Sequence, residues 1–546
     1  MDTIADMVRA RADDDHIAVR FADESLTYRE WVQCCADRAA LWASLRDPAK
    51  PPHIGVLLDN VADFTMWLGA AALTGATVVG INPTRRGEEL AHDVRHTECQ
   101  IIVTESSYRG LFDGLDLGVS DDRVFDVDTE PYADLVAELR GASLPTDPVE
   151  PSTRFLLLFT SGTSGTPKAV ICTQGRLASV CASMIGVVGL TTDDVTYISM
   201  PLFHSNALFT GWAPSVAAGA TVALRRKFSA SEFLPDVRRF GATYFNYVGK
   251  PLAYVLATPA RSDDLDNTLV RGFGNEANDS DLGGFAERFG CRLIDGYGQT
   301  ETGASIVRVP GMPVGALGMA APSVKILDPV TGDECPRAEF DEHGRLLNAQ
   351  DATGEIVNTG GTTFEGYWNN PDAEAERMRD GAYWTGDLGY RDDAGFFYFA
   401  GRTADWLRVD GENLAASPVE RIMARFDGVV LCAVYGVPDP VAGDALMVAL
   451  QLADAVAFDP VGFAAFVRAQ PDLGPKGAPS LVRVVAELPM TQTNKVLKRQ
   501  LVAQRWSTDD PVWKRTPQGD YRTFTGADAE ALLDEFRRHG REGVLS

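Results

Sequence analysis

The sequence predicts an α/β protein: parallel sheets covered by helices, a β-rich subdomain beside them, and a smaller α/β domain towards the C-terminal end. Three observations carry this. Short β-rich runs alternate with helical stretches through most of the 546 residues, a pattern that builds parallel sheets with ligands at the carboxyl ends of the strands. Gly/Asp-rich turns then become denser from Asp328 to Gly411, where strands are short and hairpin-like. After Arg402 the character changes once more, into a compact α/β stretch of about 100 residues, an ordinary domain size.

The elements follow in chain order. Strands are expected at 54–58, 77–81, 100–104, 155–159, 196–200, 221–224 and 244–248. Residues 64–81 run without a charge and could be mistaken for a membrane span. Gly69, Gly75 and Gly80 interrupt them, and the β-branched cluster Thr77-Val78-Val79 follows Gly75, so a buried helix, a turn and a buried strand fit better. Ser417-Pro418-Val419-Glu420 reads as a helix start, with Pro at the first position and an acid in the first turn. Strands at 429–435 and 445–452 and a helix near 463–470 complete the small domain. In the tail, Thr525-Gly526-Ala527-Asp528 has the form of a capping box, Leu532, Leu533 and Phe536 supply an apolar stripe, and Gly540 stops the helix. The domain boundaries expected are 1–403 and 404–546.

Composition narrows function. With 45% apolar and 23% charged residues this is an ordinary globular chain. A net charge of −26 argues against nucleic acid as a partner and against resting on an anionic membrane. Any bound anion must be neutralised locally. Eight scattered cysteines without a Cys-x-x-Cys read as reduced thiols of a cytoplasmic protein. The N-terminus has neither a basic start nor an apolar signal core. At most peripheral membrane contact is expected, and a homodimer stays open.

The chemistry begins after the apolar run 155–159, with Thr160, Ser161, Gly162, Thr163, Ser164, Gly165, Thr166, Pro167 and Lys168. Glycines let backbone N–H groups approach phosphate, and the hydroxyls and ammonium add donors and charge. The spacing is not that of a nucleotide-hydrolysing P-loop, because Gly162 and Gly165 are three apart and Pro167 precedes the lysine. Four further clusters accompany it. One is Asp295-Gly296-Tyr297-Gly298-Gln299-Thr300-Glu301, where an aromatic can stack on a base, a threonine can bond phosphate and a glutamate can hold Mg²⁺. Another is Thr385-Gly386-Asp387, an aspartate on a turn suited to two ribose hydroxyls. The others are Gly401-Arg402 with Gly411-Glu412-Asn413, and Asn494-Lys495 on a polar loop. Each alone would usually be a plain turn or surface residue.

Together, in this order, they resemble the adenylate-forming superfamily of acyl-CoA synthetases, peptide-synthetase adenylation domains and luciferases. The resemblance runs from Leu26-Thr27-Tyr28-Arg29-Glu30-Trp31 and the segment 75–83 to Lys495. It implies a large N-terminal domain of two parallel-rich sheets with a β-rich subdomain, and a small C-terminal domain that moves between half-reactions. It also implies a two-step reaction in which a carboxylate attacks the α-phosphate of ATP, and the thiol of coenzyme A then attacks the acyl carbon. By the same resemblance Thr160 to Lys168 hold the β- and γ-phosphates, Thr300 the α-phosphate and Glu301 the Mg²⁺. Asp295, Gly296, Tyr297 and Gly298 bind the nucleotide, with Tyr297 on adenine and Gly274, Asn275 and Glu276 on its other side. Asp387 and Arg402 fix the ribose, Lys495 bridges carboxylate and α-phosphate, and Gly411 lines the thiol tunnel. Lys168, Thr300, Glu301 and Lys495 are the implied catalytic set. The hinge position, often Asp or Lys in relatives, is Ala404 here.

The implied acyl pocket includes His204, Tyr247, Val248, Gly272 and Gly303. Its segments are apolar and aromatic with no aspartate to receive an amino group, which favours a lipophilic carboxylate. The segment 245–251 and the tail at 509–513 and 519–522 resemble fatty acid transport proteins and very-long-chain or steroid-acid synthetases. Fatty acids or steroid side-chain acids are therefore expected. Rival readings are an acyl-AMP ligase loading a carrier protein, a luciferase-like oxygenase and an inactive nucleotide sensor. No extra segment at the small-domain junction blocks rotation, which favours coenzyme A. Three other groupings have plainer readings. His204 is as well explained as a structural histidine as by a gate to the pocket. His92, His96 and Cys99 fit a surface helix better than a zinc face. Arg225-Arg226-Lys227 fits a solvated strand end, with a CoA phosphate contact as the alternative.

Overall fold

The computed structural model describes residues 1–160, 168–277, 279–301, 303–402, 406–409, 412–441, 443–454, 456–473, 476–491 and 496–545, without the side chains of 402, 406, 408, 409, 412, 413 and 415. The chain divides into two compact units, Met1–Gly303 with Thr362–Met378, and Ala304–Gly361 with Arg379–Ser546. The expected boundary between 403 and 404, and Ala404 itself, lie outside the described residues.

The first unit holds two sheets. In one, the strands Val124–Asp126, Ile101–Thr104, His53–Leu57, Thr77–Gly80 and Arg154–Thr160 lie parallel in that order, and Lys168–Thr173 closes the edge antiparallel. In the other, Ile17–Phe21, Thr221–Leu224, Val195–Ile198, Tyr244–Val248, Arg271–Asn275 and Arg292–Tyr297 are parallel neighbours in that order, and Glu24–Thr27 adds a hairpin at the edge. The seven strands read from the sequence are all present, displaced by at most two residues, and Ile17–Phe21, Glu24–Thr27, Val124–Asp126, Lys168–Thr173 and Arg271–Asn275 are added to them. Uncharged residues 64–81 form the helix Ala62–Thr74, a left-handed Gly75 (φ 66°) that ends it, and the buried strand Thr77–Gly80. Every residue from Phe64 to Leu73 is buried. The helix packs against Tyr28–Leu45, where a methyl on Gly69 would meet Cys35 Sγ at 2.3 Å, so only glycine admits this approach.

The second unit contains the antiparallel strands Val324–Leu327, Gly354–Asn358, Ala382–Arg391 and Phe397–Arg402, the expected β-rich subdomain. Further along, Val429–Pro438, Asp444–Leu452, Leu481–Val485, Val512–Arg515 and Tyr521–Thr523 form a mixed sheet. The helices Ala416–Met423 and Pro460–Ala469 supply side chains to its core, including Met423 and Phe463. The first of these begins two residues before Pro418, which stands third in the helix rather than first. Thr525 and Asp528 form the capping box of Gly526–Arg538, as read. Among the described residues no helix is long and apolar enough to cross a membrane.

Candidate active site

In the first unit the carboxyl ends of parallel strands gather the expected positions. Val248 pairs with Asn275, and Gly274 with Asp295, so the ends of Tyr244–Val248, Arg271–Asn275 and Arg292–Tyr297 lie side by side. Backbones are pressed together here. A methyl on Gly274 would stand 2.3 Å from the Tyr247 carbonyl oxygen, and one on Gly249 would stand 2.0 Å from that of Glu276. Glu276 itself holds φ at 66°, a left-handed conformation that non-glycine residues seldom take away from functional sites. Asp295 is buried, and its Oδ2 accepts from the Tyr247 hydroxyl at 3.2 Å and the Ala277 N–H at 3.3 Å. Tyr297 is half-buried at the strand end.

Thr300 and Glu301 follow that strand in a turn that is held from three sides. The Arg176 guanidinium donates to the Thr300 carbonyl and, at 2.7 Å, to that of Ile171. The Thr300 hydroxyl lies 2.8 Å from Ser205 Oγ. The Glu301 carboxylate, 8% exposed, accepts from the Tyr367 hydroxyl at 3.0 Å and more loosely from Thr160 Oγ1 at 3.5 Å. Burial, and then the neighbouring Glu301 charge, push the Tyr367 phenol well above its ordinary range, so it stays a donor. The Tyr367 ring also lies under the Lys168 ammonium, 5.5 Å from its centroid, while Lys168 Nζ pairs with Glu376 at 3.1 Å.

Thr160 and Lys168 are register partners at the mouth of their antiparallel pair, so the strands close on the expected phosphate loop. Ser161, Gly162, Thr163, Ser164, Gly165, Thr166 and Pro167 lie outside the described residues. A π-helical turn, Leu208–Trp212, follows Ser205–Ala207 and packs near the strand Tyr244–Val248. His204 precedes it, its ring against Phe203 at 4.3 Å. Strand alternation puts Val248 on the face towards this segment and Tyr247 on the other, where its hydroxyl reaches Asp295. A methyl on Gly272 would run into Phe245 at 2.6 Å and Leu293 at 2.9 Å. Gly303, buried, ends the first stretch of this unit.

In the second unit, Asp387 stands inside the strand Ala382–Arg391 rather than on a turn. A register irregularity against Gly354–Asn358 and a left-handed Gly386 (φ 72°) mark a bulge, which turns the following side chain out of sequence with its neighbours. Asp387 is the antiparallel partner of Arg402, whose backbone alone is described. Gly411 and Lys495 lie outside the described residues.

Two groupings resolve plainly. The helix Gly87–His96 ends before Cys99, whose buried thiol is pushed up to about 12, and His96 bonds the Trp368 carbonyl at 3.0 Å. Among the described residues no group of three or more His, Cys, Asp and Glu side chains is placed to hold a metal. The triplet 225–227 is a solvated strand end, as expected: it follows Thr221–Leu224, and Arg226 and Lys227 are exposed. Arg225 pairs with Asp236 at 2.9 Å, Arg226 with Glu105, and Lys227 with Asp59 at 3.3 Å, so each cation already faces a carboxylate.

The model of the AMP-binding enzyme family matches residues 8–368, and that of the AMP-binding enzyme C-terminal domain matches 418–495. The chain belongs to the AMP-binding enzyme family. Its α/β fold and its enzymatic, adenylate-forming character are those expected from the sequence. Among similar proteins, a steroid-22-oyl-CoA synthetase of Rhodococcus jostii RHA1 is 52% identical, over 100% of this chain and 99% of that protein. The medium/long-chain-fatty-acid–CoA ligase FadD17 of Mycobacterium tuberculosis is 47% identical, over 94% and 98%. ATP-bound MatB of Rhodopseudomonas palustris shares the fold at a TM-score of 0.77 and 24% identity, covering 91% of this chain and 98% of that one.

The sequence does not single out Tyr367, Glu376 or Arg176. Each reaches its partner at the site from a distant part of the chain, 66 residues away for Tyr367 and Glu301, 208 for Glu376 and Lys168, and 124 for Arg176 and Thr300.

Proposed function

We propose that the protein is an ATP-dependent acyl-CoA ligase acting on the carboxylated side chain of steroids, with long-chain fatty acids as the second acid class. The observation that carries the reading is the full-length similarity to a steroid-22-oyl-CoA synthetase, and the FadD17 relatives support the second class. The buried Phe209, Trp212 and Val248 about the π-helical turn suit an apolar acid.

The residues suit the small molecules. Mg²⁺ is commonly held by one or two carboxylates plus substrate phosphates, and the single buried carboxylate of Glu301, with one oxygen already fixed by Tyr367, fits that use. Magnesium, when bound, would supply positive charge to the phosphoryl oxygens. Two anions about 4 Å apart repel by roughly 4 kcal/mol at a protein-like dielectric, so each cation brought to the phosphates matters. Lys168, released from Glu376 by the incoming triphosphate, neutralises the β- and γ-phosphates together with the donors of Ser161 to Thr166. Thr300, its hydroxyl oriented by Ser205, donates to the α-phosphate. Tyr297 packs on adenine, and Asp295 and Asn275 face its polar edge. Asp387 and Arg402 accept and donate at the ribose. Lys495 bridges the attacking carboxylate and the α-phosphate during the first step, and Gly411 lets the pantetheine arm approach in the second. A small domain beginning near 404 exchanges these two residues. We place the reaction in the cytoplasm, where all eight free thiols remain reduced.

The test is pyrophosphate release across fatty, aryl and steroid acids, with and without CoA. Release with lipophilic acids and CoA-dependent thioester formation are expected. Turnover confined to amino acids, or acyl transfer only to a carrier protein, would overturn the reading.

A further inference from the structure

The strand Tyr244–Val248 turns Tyr244, Asn246 and Val248 towards the π-helical segment. The Tyr244 hydroxyl donates to the Thr210 carbonyl at 2.6 Å, and Asn246 Nδ2 donates to Asn206 Oδ1 at 2.7 Å. Asn246 is 1% exposed.

The orientation of its amide follows from fixed neighbours. The main-chain carbonyl of Tyr247 can only accept, so Asn206 presents Nδ2 to it, at 3.0 Å. The same Nδ2 reaches Asn275 Oδ1 at 3.2 Å. Asn206 Oδ1 is thereby turned to Asn246, which must answer with its own Nδ2. Asn246 Oδ1 then faces the opposite way, buried, and accepts from no donor among the described residues. It lies against Gly211, where a methyl would stand 3.2 Å from it. Gly211 belongs to the π-helical turn Leu208–Trp212, a distortion concentrated at functional sites.

We infer that Asn246 is a specificity-determining residue whose side-chain carbonyl accepts a hydrogen bond from a hydroxyl on the acyl group, so that the preferred acids are lipophilic carboxylates carrying a hydroxyl donor. The inference rests on the acyl-CoA ligase reading and narrows its substrate class. A buried acceptor without a partner carries its desolvation cost until a ligand supplies the donor. An acid lacking the hydroxyl leaves that cost in place, and a ketone at the same position sets acceptor against acceptor. Sites built to bond a substrate hydroxyl discriminate strongly for this reason.

The experiment is pyrophosphate release by the full-length enzyme with matched pairs of steroid and fatty acids that differ by one hydroxyl, its position varied. At least one position should raise kcat/KM about tenfold or more over its deoxy partner. Asn246→Leu should bring that ratio close to one while the deoxy acid is still turned over. Asn246→Ala, which likewise lacks an acceptor, carries the same expectation should the leucine variant not fold. Ratios near one for every pair with the wild-type enzyme, or a preference that survives both variants, would overturn the inference while leaving the ligase reading intact. Absence of pyrophosphate with every acid would instead remove the ligase reading and this inference with it.

Discussion

Tyr367 does two jobs with one side chain. Its hydroxyl fixes the Glu301 carboxylate, and its ring supports the Lys168 ammonium. Tyr367→Phe keeps the ring and deletes the hydroxyl, leaving a buried carboxylate short of a donor. Hydrogen bonds to charged groups contribute about 1.5–3 kcal/mol, so Glu301 should lose its fixed orientation rather than its fold. The expected result is a rise of about tenfold in the Mg²⁺ concentration needed for half-maximal activity, with the KM for ATP at saturating Mg²⁺ nearly unchanged. Direct titration of Mn²⁺ with the nucleotide complex, read by spin resonance, should show the same weakening without turnover. An unchanged metal requirement would remove Tyr367 from the site. Lys168 differs in kind, because its partner Glu376 is 63% exposed and can yield the ammonium to phosphate at little cost.

At the scale of elements, the helix Gly526–Arg538 makes a pH-dependent case. Asp528 accepts from the Thr525 N–H at 2.9 Å and from its hydroxyl at 2.7 Å, and from Arg522 at 2.8 Å. These bonds hold its carboxyl well below the usual range, Arg522 contributing most. A depressed carboxyl stabilises the fold fully above the unfolded value near 4 and loses that contribution as pH falls towards the lower folded value. Asp528→Ala should therefore weaken hydrogen-exchange protection of this helix by about 1 kcal/mol at neutral pH. The difference between variant and wild type should shrink steadily below about pH 4. This cap was legible in the sequence because its partners are three residues apart. So were the buried parallel strands, whose continuous apolar runs leave little choice of element. Asp387 was not, since a Thr-Gly-Asp triplet reads as a turn, and only the neighbouring strand Gly354–Asn358 reveals a bulge. Tyr367 and Glu376 stand 66 and 208 residues from the groups they hold, beyond the reach of any local pattern.

Across the whole molecule, the positions assigned in the proposed reaction fall on both units. Thr160, Lys168, Tyr297, Thr300 and Glu301 belong to the first, whereas Asp387, Arg402, Gly411 and Lys495 belong to the second. The proposed reaction uses the second set unequally. Adenylation needs a cation between two anions, and Lys495 is the residue assigned to it; thioester formation needs an unobstructed path for a thiol, and Gly411 is assigned to that. The two steps should therefore be separable by substitution. Lys495→Ala should lower acid-dependent ATP–pyrophosphate exchange by about 100-fold or more, the usual consequence of deleting one preorganised charge donor. It should leave conversion of supplied acyl-AMP and CoA to thioester within a few-fold of wild type. Gly411→Leu should do the reverse, sparing exchange and blocking the thiol step, because a branched side chain occupies the path that glycine leaves open. Equal loss of both half-reactions in both variants would overturn the separate assignments of Lys495 and Gly411, whereas opposite losses would support them.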